Sequence, residues 1–210
     1  MSRSTMTAAV LTLAIFGGVV HAACDPDGFL TGGTRTFAMV IAGRTATMTT
    51  SATVEGDAVV VQSTFSGTTS TTTWTCTDQG MTASFGPGTG SLQADSSTLP
   101  PASEWKVGTT WPGVSRVTTV SGITMNSTSQ SRIAAQEMVT TPAGTFTAFR
   151  VETTTKHKLT VPVGTTLPAG SADAMNRDTT VTLWYARGVG LIKESSGDSA
   201  FTLILTNVSR

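Results

Sequence analysis

The sequence predicts an all-β protein built on a curved antiparallel meander, as one sheet or two, half-barrel or sandwich-like, with little or no helix after an N-terminal leader. Three observations carry this. Thr, Val and Ile recur with period-2 alternation over long stretches, the pattern of strands with one wet and one dry face. Turn signals built on Gly punctuate those stretches about every 11 to 13 residues, the spacing of successive hairpins. Few stretches show helical periodicity, the best being the short Ile133 to Val139, which reads equally well as strand. The chain of 210 residues holds 43 Thr and 21 Ser. Thr is stiff at χ1 and suits a pleated surface, so it can cover the wet face of a sheet.

Met1 to Ala23 carries Arg3, an apolar run from Ala8 to Val20 and the small pair Ala22-Ala23. This is the pattern of a secretory signal peptide, too short to span a membrane comfortably. No later stretch approaches the roughly 20 apolar residues that a span requires. Export to the periplasm, cell envelope or extracellular space is expected. Strands are predicted over Thr34 to Ala42, Arg44 to Val54, Asp57 to Phe65 and Thr68 to Thr77. The turns between and after them fall at Ala42-Gly43-Arg44, Glu55-Gly56-Asp57, Ser66-Gly67-Thr68 and Asp78-Gln79-Gly80. From Leu92 to Gly108 the alternation lapses, and Leu99-Pro100-Pro101 marks a connection between an N-terminal β half, 24–98, and a C-terminal β half, 99–210, of one continuous domain. Strand material resumes over Val114 to Gly122, Ile123 to Thr140, Thr145 to Val163, Asp178 to Ala186, Gly190 to Ser195 and Ala200 to Val208, with a Pro/Gly/Ala loop from Val163 to Arg177. A weak internal echo joins the halves: Trp74 and Trp184 are each followed six residues later by Gly and then an apolar residue.

Three segments of the second half resemble bacterial families. They are Leu99-Pro100 followed by Trp105-Lys106-Val107-Gly108-Thr109-Thr110-Trp111, then Thr141-Pro142-Ala143-Gly144-Thr145-Phe146-Thr147-Ala148-Phe149-Arg150-Val151, then Trp184-Tyr185-Ala186-Arg187-Gly188-Val189-Gly190-Leu191-Ile192-Lys193. In this order they resemble uncharacterised secreted and lipoprotein families of the TapB-like kind, over about residues 99–208. The resemblance implies a curved antiparallel sheet and export, and it transfers no catalytic residue. Arg187 stands where the family more often has Pro.

Cys24 and Cys76 are the two cysteines. In an exported chain an even count favours a disulfide between them, closing a loop of about 52 residues for roughly 4 kcal/mol in the chain-entropy model. Cys24 also follows the Ala22-Ala23 pair, so lipidation of Cys24, with membrane tethering, is the alternative. His21 there departs from the usual aliphatic residue of a lipidation signal.

Charge and motifs exclude several classes of function. With 13 Lys+Arg against 13 Asp+Glu there is no excess of basic charge with which to grip nucleic acid. There is no nucleophile elbow, phosphate loop or dinucleotide fingerprint, and no cofactor is expected. His157 is the one histidine outside the leader and reads as a solvated strand residue rather than a general base or metal ligand. Asp25-Pro26-Asp27-Gly28 lacks the further ligands of a calcium loop and reads as a turn. Glu104, Glu137, Glu152 and Glu194 form no motif that would set a glycosidase pair.

No catalytic, cofactor or metal residue is therefore assigned, and a non-enzymatic role is expected. Two readings remain. The protein is a structural or interaction module that binds an envelope protein or a glycan, or it carries a lipid or other apolar ligand in the concavity of its sheet. In the second case Phe146, Phe149, Trp184, Leu203 and Leu205 are the expected cleft; in the first they are core. Open sheet edges leave homo-oligomerisation available.

Overall fold

The structure, a computed structural model, describes residues 26–77, 80–85, 97–120, 122–197 and 201–209. A single turn of helix, α1 (Pro26–Phe29), leads into six strands: β1 (Gly33–Ile41), β2 (Arg44–Glu55), β3 (Ala58–Phe65), β4 (Thr68–Thr77), β5 (Gly80–Phe85) and β6 (Ser97–Leu99). A 3-10 turn at Ala102–Glu104 precedes six more: β7 (Thr110–Val120), β8 (Ile123–Thr141), β9 (Gly144–Thr160), β10 (Thr179–Ala186), β11 (Gly190–Ser196) and β12 (Phe201–Ser209), with a short α2 (Ser171–Met175) between β9 and β10. All twelve strands form one antiparallel sheet in the order β6-β5-β4-β3-β2-β1-β12-β11-β10-β9-β8-β7. Two six-stranded meanders are thus stitched together by the first strand and the last, where Phe37 faces Leu205 and Met39 faces Leu203.

Local chemistry accounts for the hairpins. Ile41 pairs with Arg44 and Phe65 with Thr68, leaving the two-residue loops Ala42-Gly43 and Ser66-Gly67. Both residues of each loop have positive φ, 47° and 79° in one and 48° and 79° in the other. That is the primed turn whose twist matches the flanking strands. Threonines face each other across strands on the wet side, as Thr64 and Thr69 (2.9 Å) and Thr140 and Thr145 (3.1 Å) do through their hydroxyls.

The sheet curls until β6 and β7, its two edges, come within 8 Å between Cα atoms. A first apolar cluster fills the concave side from both meanders: Val59, Met81 and Leu99 from one, Trp111, Ile133 and Val151 from the other, with Phe29 and Trp105 between them. A second cluster joins Phe37, Met39, Leu203 and Leu205 to Val139, Ala148, Ala186 and Ile192. On β9, Val151 and Phe149 belong to the first cluster and Ala148 and Phe146 to the second. Residues an odd number apart point to opposite faces of a strand, so the clusters lie on opposite sides of β9. The β8–β9 hairpin, at about 3.3 Å per residue, would run to roughly 55–60 Å if straight. Instead it bends at the bulge that leaves Ala134 unpaired, and β8 comes against β12. There the sheet folds over itself like a sandwich.

Some elements differ from the sequence reading. β5 and β6 form in a stretch given no strand, because Gly80–Phe85 is short and β6 is only three residues before Pro100. The stretch from Ile133 to Val139 is strand. One turn of helix occupies Pro26–Phe29, where a plain turn was expected, and another lies within the Val163 to Arg177 loop. Residues 1–25, which include the expected leader and Cys24, lie outside the described residues.

Candidate functional site

The end of α1 lies against the turn between β10 and β11. The Gly188 N–H donates to the Gly28 carbonyl at 2.6 Å. Gly190, at φ +91°, admits the Phe29 carbonyl where a Cβ would stand 2.9 Å from that oxygen. Phe29 then stacks on Trp105, ring centroids 3.7 Å apart, while Arg187 lies over the Phe29 ring at 5.1 Å. Arg187 thus supplies a cation–π contact that a proline could not. The Trp105 indole N–H donates to the Pro100 carbonyl at 3.2 Å, and its ring meets Tyr185 and Phe149 edge-on.

Phe29 of this aromatic plug lines a cavity of about 260 Å³ on the concave face. Met48, Thr50 and Ala52 of β2, with Val61 of β3 and Trp74 of β4, line one side, and Tyr185, Leu191, Glu194 and Leu203 line the other. A second cavity of about 180 Å³ lies beyond Trp74 and Tyr185, lined by Trp111, Val151 and Leu183 with the hydroxyls of Ser129, Ser131 and Thr153. Trp74 and Tyr185 border both.

Three polar side chains distinguish the larger cavity. Arg35 is buried, yet its Nε donates to the Val189 carbonyl at 2.6 Å. One terminal nitrogen donates to the Thr31 carbonyl at 2.6 Å and to the Thr31 hydroxyl. Backbone oxygens therefore compensate its desolvation. Glu194 sits between Leu183 of β10 and Leu203 of β12. Burial raises its carboxyl above the usual range. Burial likewise pushes the Tyr185 phenol far above its ordinary value, and the Glu194 charge adds to the shift. Among the described residues, nothing hydrogen-bonds to the Glu194 carboxyl or the Tyr185 hydroxyl.

Of the five residues expected to form a cleft, Leu203 and Leu205 belong to the second cluster, Phe146 and Trp184 pack against it, and Phe149 packs against the first. Leu203 lines the cavity. Trp184 donates its indole N–H to Glu137 at 2.7 Å and carries the Lys193 ammonium 4.6 Å above its ring. Of the carboxylates considered above, Glu137 and Glu152 both pair with Arg150, and Glu152 also pairs with Arg132 at 2.7 Å. His157 is half-buried rather than solvated: Nδ1 lies 2.9 Å from the Ser127 hydroxyl and Nε2 3.3 Å from the Thr179 hydroxyl. Among the described residues no carboxylate orients that ring, the third member a Ser-His pair needs for nucleophilic work.

Arg35 and Tyr185 carry no site assignment from the sequence, and Glu194 enters there only as one of four carboxylates without a pairing motif. A signal for Arg35 was present: it shares its strand phase with Phe37 and Met39, the apolar side of β1.

Outside the cavity, a groove of about 610 Å³ runs along β7, β8 and β9, lined by Thr110, Pro112, Thr128, Gln130, Thr154 and Lys156 beside Trp111. Among the described residues no helix is long and apolar enough to cross a membrane.

Fold and cavity together define a class: a non-helical scaffold of one curled antiparallel sheet, plugged by aromatic side chains and hollow beside the plug. The chain belongs to the DUF3108-like family, whose model matches residues 100–204, half of its length. Two solved structures are similar. One is a candidate lipoprotein from Parabacteroides distasonis, 14% identical, with a TM-score of 0.49 over 89% of this chain and 99% of that one. The other is a candidate exported protein with a YmcC-like fold from Bacteroides fragilis, 11% identical, with a TM-score of 0.47 over 87% of this chain and 98% of that one. No curated protein matches the sequence.

Proposed function

We propose that the protein is an exported, non-catalytic binding protein that holds a small apolar ligand between the concave face of its sheet and the Phe29–Trp105 plug. The observation that carries this reading is the 260 Å³ cavity, bounded by Phe37, Met48, Val61, Trp74, Leu191 and Leu203. It is larger than the roughly 150 Å³ that accepts benzene and just under the roughly 300 Å³ at which drug-sized pockets begin. A ligand of eight to ten carbons or a single substituted ring suits it better than a two-chain lipid.

Export is supported by the pattern of Met1 to Ala23 and by the resemblance to TapB-like secreted proteins. No described cysteine carries a free thiol, which supports a Cys24–Cys76 bridge tying the segment before α1 to β4. The mass of the mature protein tests both: a start at Cys24 with two hydrogens lost is expected, and a diacylglycerol adduct on Cys24 would replace the bridge by lipidation.

The ligand reading is tested by calorimetric titration of the oxidised protein with 1-octanol. Saturable binding is expected, and it should be lost in Ser63→Phe, which places a ring in the cavity; no saturable heat in the wild type would sink the reading. One observation favours the interaction-module reading instead. Phe146, Trp184 and Leu205 are committed to packing, while the polar groove along β7–β9 offers hydroxyls, Gln130 and Lys156 to a glycan or protein.

A further inference from the structure

We infer that the cavity selects an apolar amine, whose ammonium group lies against the Glu194 carboxylate and the aromatic rings while its hydrocarbon part fills the space beside Met48, Val61 and Leu203. This rests on the ligand reading above and adds the chemistry of the head group.

Four observations point to a cation. First, Glu194 faces the cavity from between Leu183 and Leu203, and no described residue forms a hydrogen bond or ion pair with it. A carboxylate in such surroundings is costly until something donates to it. Second, four aromatic residues line the same space: Phe29, Phe37, Trp74 and Tyr185. Aromatic faces within about 6 Å of an ammonium attract it, most strongly where water is excluded. Third, the Tyr185 hydroxyl, also without a partner among the described residues, can accept a hydrogen bond from the same head group. Fourth, the cation already lining the cavity is not disposed to receive an anion. Arg35 directs its Nε and one terminal nitrogen to Val189 and Thr31, so a carboxylate ligand would have to compete with those bonds. The raised carboxyl of Glu194 agrees with a charge that lacks its counterion. An ammonium would supply one.

Three probes of equal chain length separate the possibilities: n-octylammonium, 1-octanol and octanoate, each titrated calorimetrically into the full oxidised chain. Octylammonium should bind about tenfold or more tighter than octanol, the ratio expected for one charge-assisted contact. Glu194→Gln, close to isosteric, should remove that advantage, so that amine and alcohol bind alike. In the wild type, acidification that protonates Glu194 should weaken the amine and not the alcohol, a readout independent of any variant. Equal affinity for amine and alcohol, or an amine affinity indifferent to Glu194→Gln, would overturn the inference and leave the cavity reading standing. Octanoate as the tightest probe would overturn it in favour of Arg35. Failure of all three to bind would remove both.

Discussion

Gly190→Ala offers a direct test of how the plug is held. At φ +91° any L-residue is strained, and this alone costs about 1–2 kcal/mol. The new methyl would also stand 2.9 Å from the Phe29 carbonyl oxygen, with the Phe29 carbonyl carbon and the Arg35 Nε at 3.7 Å. That neighbour is backbone, so no side-chain rotation relieves the contact. The end of α1 has to lift from the β10–β11 turn. Lifting it releases the Gly188 to Gly28 hydrogen bond, worth about 1 kcal/mol net. It also loosens the Phe29–Trp105 stack, whose complete loss would cost about 3–5 kcal/mol on the scale of buried aromatic truncations. A total near 3–5 kcal/mol is expected, a large part of the 5–15 kcal/mol of a typical domain. Gly43→Ala is the matched control. It has φ +79° and nothing within 4 Å of the added Cβ, so it should lose only about 1–2 kcal/mol, the conformational part. Urea unfolding followed by far-ultraviolet circular dichroism gives both values, and tryptophan emission reports Trp105 separately. Equal losses for the two variants, with unchanged emission, would refute the claim that Phe29 is fixed by its carbonyl against Gly190.

Two further outcomes follow from the same site. Phe29→Ala should cost about 3–5 kcal/mol and shift tryptophan emission; a loss below about 1 kcal/mol would show that the plug contributes little to the fold. Glu194 has a folded-state carboxyl raised above its unfolded value, so its contribution is fully present below the unfolded pKa and is lost as pH rises through the folded one. Urea midpoints from pH 4 to 7 should therefore fall for the wild type relative to Glu194→Gln, and a difference that stays constant or shifts in favour of the wild type as pH rises would contradict the burial argument.

The strands of the first half were legible because alternation and primed turns are local: Thr68 to Thr77 is β4 to the residue. β5 was harder, since Met81 and Ala83 alternate over only six residues. The stitch of β1 to β12 has no local signal at all, for it pairs Thr34 with Ser209 at opposite ends of the chain. Of the site, Arg35 was visible in principle as a charge in the dry phase of a strand, whereas Glu194 was not. β11 carries an extra residue, Ile192, between the partners of Trp184 and Tyr185. A bulge shifts the face count without leaving a composition cue. The two phenylalanines of the expected cleft differ in a simpler way. Phe146 and Phe149 are three apart on one strand and point to opposite faces.

The echo between Trp74 and Trp184 acquires a physical meaning in the sheet. Counted within the two meanders, β4–β5 and β10–β11 occupy the same place, and Gly80 and Gly190 both open the second strand of the pair with positive φ, +113° and +91°. Each lets a backbone carbonyl approach from a segment outside the meander's turns. A Cβ on Gly80 would fall 2.2 Å from the Leu99 oxygen, and one on Gly190 2.9 Å from the Phe29 oxygen. The two segments admitted in this way are those that deliver Trp105 and Phe29, whose rings stack on each other. The tryptophans themselves do not follow the same rule. Trp74 pairs with Val59 and faces inward, while Trp184 pairs with Arg150 and binds Glu137, leaving Tyr185 to take the inward position. The interior therefore has a tryptophan on one wall and, on the other, a tyrosine beside a carboxyl that has no hydrogen bond or ion pair among the described residues. That asymmetry puts the carboxyl and the phenol on one wall of the cavity, where the proposed head group would lie.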